Sequence, residues 1–124
     1  MSETTPYHQI ATCITLLRES PDARAEVEQR LRLLEDDLQA WARQLTSFSE
    51  GPLASPQMTT LISESMRGLE MFRVAADQVR EYMSLGTETA AQEAIENGRA
   101  GLKVILSVKG VTEDAIEHIL DSED

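Results

Sequence analysis

The chain has 124 residues, 22 acidic and 11 basic, giving a formal net charge of -11 with 41% hydrophobic content. That charge repels phosphate backbones and anionic lipid surfaces, so neither nucleic acid nor membrane is an expected partner. The length fits a single domain, residues 1–124, which can bury roughly two thirds of the surface its unfolded form exposes and needs no metal, cofactor or disulfide to fold.

The first predicted helix covers about residues 6–19. Thr5 precedes Pro6, the arrangement of a capping hydroxyl followed by a residue whose missing N–H costs nothing in a first turn. Tyr7, Ile10, Ile14 and Leu17 share its apolar face. Cys13 is a lone thiol expected to be buried as a small apolar residue. With no internal disulfide and no positively charged start leading into an apolar core, the expected home is a reducing cytoplasm.

Ser20 and Pro21 open a second helix, residues 21–49. Val27, Leu31, Leu34, Leu38, Trp41, Leu45 and Phe48 alternate at four and three residues along it. Such spacing paints one stripe along a helix, and the stripe leaves water only by packing on another helix. Glu35, Asp36 and Asp37 form a charge run expected to be solvated. Gly51 is the expected stop.

The third helix, 56–85, starts at Ser55-Pro56 and stops at Gly86. Met58, Ile62, Ser65, Leu69, Phe72, Ala76, Val79 and Met83 repeat the heptad alternation, with Ser65 its polar member. Thr87 and Glu88 begin a fourth helix, 88–109, with Lys103 and Lys109 toward its end before Gly110, as the helix dipole favours. A strand over Leu102–Val108, paired across a dimer, is the rival expectation for the apolar end of that segment. Thr112, Glu113 and Asp114 cap a fifth helix, 113–121, bearing Ile116, Ile119 and Leu120.

These elements predict an all-α protein: an antiparallel helical bundle of about five helices, built on the long hairpin formed by helices two and three. Helices of 28–30 residues are about 40 Å long at ~1.5 Å per residue, and the short 51–55 connection should lay them side by side. Helix four carries Ala90, Ala94, Gly98 and Gly101 as a stripe of small residues. Two glycines inside a helix cost about 1 kcal/mol each relative to alanine, so close approach of another backbone is expected there.

The catalytic inventory is thin. His8 and His118 belong to no HExxH or Glu-x-x-His pair, and the face shared by Asp114, His118 and Asp121 is expected to be solvated rather than metal-binding. No catalytic, cofactor or metal residue is therefore assigned. The expected interface residues are Trp41, Ala94, Gly98, Gly101, Val104 and Val108. The function expected from them is a non-enzymatic protein-interaction module (adaptor, chaperone or regulatory subunit), acting as a homodimer and toward another protein. The alternative is a bundle with an internal small-molecule site beside Gly98 and Gly101, with enzymatic activity as one form of it.

Overall fold

The computed structural model describes residues 5–49, 55–108 and 110. Four α-helices account for nearly all of them: α1 (Pro6–Glu19), α2 (Arg24–Ser49), α3 (Pro56–Leu85) and α4 (Glu88–Val108). The boundaries follow local chemistry. Thr5 Oγ1 accepts from the His8 amide at 3.1 Å and Ser55 Oγ from the Met58 amide at 3.1 Å, each satisfying one of the donors that a helix start leaves over. Gly86 ends α3 in the left-handed region at φ +68° and donates its N–H to the Tyr82 carbonyl. A side chain would strain that conformation.

Two expected boundaries change. Ser20 makes no side-chain cap, and Pro21–Ala23 form a 3-10 turn before α2 begins at Arg24, three residues later than the spacing suggested. Leu102–Val108 is α-helical, and there is no strand among the described residues. The expected fifth helix, the Gly51 stop and Lys109 lie outside the described residues.

Cross-helix partners fix the topology. Tyr7 meets Gly98 while Arg18 pairs with Glu88, so α1 and α4 run antiparallel. Gly68 meets Gly101 while Gln78 bonds Asn97 and Glu93, so α3 and α4 do too. Arg80 reaches Glu28 and Glu35, while Leu38 and Ala42 flank a groove with Met66 and Leu69, which sets α2 against α3. The described helices therefore form an up-down-up-down four-helix bundle. Its core holds Tyr7, Ile10, Cys13 and Ile14 from α1, Val27, Leu31, Leu34 and Leu38 from α2, Leu69, Phe72, Ala76 and Val79 from α3, and Ala91, Ala94 and Leu102 from α4.

The α2–α3 hairpin is not the tightest unit: α3 packs most extensively on α4. Side-chain size explains it. Gly68, Ala75 and Ala76 on α3 and Ala90, Ala91, Ala94, Gly98 and Gly101 on α4 are buried, and small residues let helix backbones approach closely. The α2 seam is made of Val, Leu and Trp, which hold a neighbouring axis further away.

Helix lengths are unequal, and the mismatch falls at one end. Ile105, near the end of α4, lies against Gly68, whereas α3 starts twelve residues earlier at Pro56. Pro6, the first residue of α1, borders the same groove as Trp41, whereas α2 continues to Ser49. At 1.5 Å per residue, α2 and α3 thus run roughly 12 Å beyond the described ends of α1 and α4.

Candidate interaction surface

The projecting ends of α2 and α3 carry apolar residues on the faces that form the core further along. Leu61 lies seven residues before Gly68, two turns away on the same face of α3, but no part of described α4 reaches it. It is 49% exposed. Trp41 stands seven residues after buried Leu34 on α2, level with the start of α1, and is 42% exposed. Leu45, Met58, Ile62 and Ser65 are half-buried. Among the described residues, the outer half of each heptad seam is therefore a two-helix platform, with its inner half sealed into the bundle. On α4, Val104, Ile105, Leu106 and Val108 are also half-buried, adding apolar surface where that helix ends.

The small-residue stripe is inside the protomer. A Cβ added at Gly98 would meet Tyr7 Cδ1 at 3.1 Å, and one added at Gly101 would meet the Gly68 carbonyl oxygen and Phe72 Cε1, both at 3.0 Å. Ala94 is fully buried. Of the six residues expected at an interface, Ala94, Gly98 and Gly101 therefore face helices of their own chain, while Trp41, Val104 and Val108 keep accessible surface. The room expected beside Gly98 and Gly101 for a small molecule is occupied by Tyr7, Gly68 and Phe72. Tyr7 is only 2% exposed, and the Arg99 guanidinium lies 6.0 Å from its ring centroid, within cation–π range.

The outer face of the α2–α3 pair has a different character. Arg80, projecting from α3, donates to Glu35 of α2 through Nη1 and Nη2, both at 2.7 Å, and to Glu28 through Nη2 at 3.0 Å and Nε at 3.1 Å. All three side chains are about 30% exposed, so this clamp is partly shielded from water. The Arg80 hydrogen bond holds the Glu28 carboxyl below its ordinary pKa, against a smaller opposing effect of burial; the bonds Arg80 donates to Glu35 and Glu28 push its own pKa up. Glu35 is thus an inter-helix partner rather than a solvated member of its charge run, while Asp36 and Asp37 are exposed. The sequence held a signal for this: Glu28 and Glu35 are seven apart and share one face of α2, and Arg80 adjoins seam residue Val79.

Beyond the clamp the same face opens into a groove of about 400 Å³ between α2 and α3, with Leu38, Ala42, Met66 and Leu69 along it and Glu35, Asp36, Glu70 and Arg73 at its rim. Arg73 is engaged by Glu70 and Asp77, and its hydrogen bond lowers the Glu70 pKa. Among the described residues no group of three or more His, Cys, Asp or Glu side chains is arranged to hold a metal ion. Cys13 is 1% exposed, and burial pushes its thiol up to about 11, away from the reactive thiolate. No described helix is long and apolar enough to cross a membrane.

Comparison with protein-family models, with curated proteins and with solved structures yields no match to this chain.

Proposed function

We propose that the protein is a non-enzymatic contact module, an adaptor, chaperone or regulatory subunit, that acts through its helical surfaces as a homodimer. One observation carries this reading: α2 and α3 outrun the described ends of α1 and α4, and core-facing apolar positions at the edge of the overhang, Trp41, and within it, Leu61, are 42% and 49% exposed. A two-helix platform buries only one side of each apolar stripe. A second copy laid platform to platform would restore the four-helix cross-section that the rest of the chain already has, and isologous contacts of this kind close as dimers. Dimerisation here also tolerates the high negative charge. Residues 51–63 contain no charged side chain, and Arg43 and Glu50 offset each other across residues 42–50.

Within this proposal the compartment is a reducing cytoplasm, where the lone thiol of Cys13 stays reduced. Light scattering at micromolar concentration tests the assembly. Twice the protomer mass is expected for the native chain, and the protomer mass for Leu61→Glu and Trp41→Glu, with helical circular dichroism retained. A protomer mass for the native chain refutes the dimer. A dimer that survives both substitutions refutes the platform as its interface.

A further inference from the structure

The groove on the outer face of α2 and α3 lies apart from the platform, and its chemistry specifies an occupant. We infer that it is a docking site for a basic amphipathic helix from another protein. Leu38, Ala42, Met66 and Leu69 supply the apolar lining, and three carboxylates, Glu35, Asp36 and Glu70, stand at the rim. The one guanidinium there, Arg73, is bound to Glu70 and Asp77, and Arg80 at the near end is bound to Glu28 and Glu35. Glu35 and Glu70 are paired in the same contacts, and the negative excess rests on the count, with Glu28, Glu35, Asp36, Glu70 and Asp77 standing against Arg73 and Arg80.

Charge also decides against the two occupants closest to hand. Residues 111–124 contain six acidic side chains and no lysine or arginine, and a second copy brings a net charge of -11. Either would set like charge against the rim, whereas a helix with two or three apolar side chains flanked by lysine or arginine matches both the lining and the charge. Helix-in-groove recognition uses anchors spaced at i, i+3/i+4 and i+7, and the four apolar lining residues come in i, i+4 and i, i+3 pairs, Leu38 with Ala42 and Met66 with Leu69.

The probe is a fluorescein-labelled synthetic helix of about 18 residues, roughly 27 Å long, with leucines on one face and lysines on both flanks. A control peptide has glutamate in place of every lysine. At low ionic strength, where rim charges are least screened, anisotropy should show saturable binding of the lysine peptide and none of the glutamate peptide. Asp36→Asn with Glu70→Gln should weaken binding about tenfold. Glu19→Gln with Glu96→Gln, which lowers net charge equally but away from the groove, should change it by less than about twofold. Ala42→Trp, which fills the groove and leaves every charge in place, should also abolish binding in a protein whose circular dichroism is unchanged. Amide shift changes on titration should concentrate in residues 35–42 and 66–73. Equal weakening by the two charge pairs, binding of the glutamate peptide, or shift changes centred elsewhere would each overturn the assignment.

Discussion

Replacing Gly101 with alanine tests whether the α3–α4 crossing is as tight as the geometry implies. In an open helix the change should stabilise by about 1 kcal/mol, because alanine restricts the unfolded chain and favours helix. Here the new methyl would sit 3.0 Å from the Gly68 carbonyl oxygen and 3.0 and 3.1 Å from two carbons of the Phe72 ring. Neither neighbour yields easily: one is backbone in the middle of α3, and the other is a core side chain 1% exposed. Overpacking of this kind costs about 1–3 kcal/mol, so the net expectation is a loss of about 0–2 kcal/mol, or up to roughly 8 °C in Tm. Gly68→Ala provides the internal contrast. Its nearest contacts are Ile105 Cδ1 at 2.9 Å and Cγ1 at 3.0 Å, in a half-buried side chain that can shift, and the Gly101 carbonyl oxygen stands further off at 3.2 Å, so the loss should be smaller than at Gly101. Thermal melts by circular dichroism at one fixed protomer concentration compare the two, so that any self-association of the kind proposed weighs equally on both. If Gly101→Ala melts at or above the native temperature, close backbone approach does not organise this pair.

Two further outcomes are expected. Leu→Ala at Leu38 or Leu69, each 5% exposed, should cost about 2–5 kcal/mol in urea melts as lost transfer energy plus cavity, whereas Leu33→Ala, at 58% exposure, should stay within about 0.5 kcal/mol of native; equal losses at Leu33 and Leu38 would mean that α2 presents another face to the core. The Arg80 clamp makes stability pH-dependent with a definite sign. Its bond lowers the Glu28 pKa in the folded state, so its contribution is present above the unfolded carboxylate pKa and is lost as pH falls through the folded value, from about pH 4.5 downward. Native protein should lose about 1 kcal/mol more than Arg80→Met between pH 7 and pH 3, a figure kept small by partial solvent screening; parallel acid limbs for the two proteins would show that the clamp contributes nothing to folding.

Heptad spacing made α2 and α3 legible and capping signals made α1 and α4 so, because periodicity, prolines at Pro6 and Pro56 and the glycine at Gly86 are local signals with local causes. Pairing was less legible. A stripe such as Val27, Leu31, Leu34 and Leu38 states that a helix must pack but not against which neighbour, and the short connection after α2 suggested the next helix. What selected α4 as the closest partner of α3 was the meeting of Gly68 with Gly101, two glycines 33 positions apart that only the fold brings together. Of the expected interface residues, the small ones were recognised as sites of close approach, but a stripe does not say whether the approaching backbone belongs to the same chain. The groove between α2 and α3 and the Arg80 clamp were harder still, since both depend on the separation of two axes.

Unequal helix length divides one sequence pattern into two physical roles. Leu31 and Leu45 are fourteen residues apart on the same α2 stripe and of identical chemistry. Leu31 is fully buried because α1 and α3 both pack on this stretch of α2, and its loss would open a cavity that the surrounding helices cannot collapse to fill. Leu45 is half-buried because α1 has already ended at its level, so truncating it removes less buried surface from the protomer and more from anything that docks on the platform. Stability should therefore fall off along α2 and α3 from the clamp toward the projecting end, while sensitivity of self-association rises in the same direction. Leu38, which borders both the outer groove and the groove beside Trp41, stands at the crossover, where a single substitution should weaken folding and contact together.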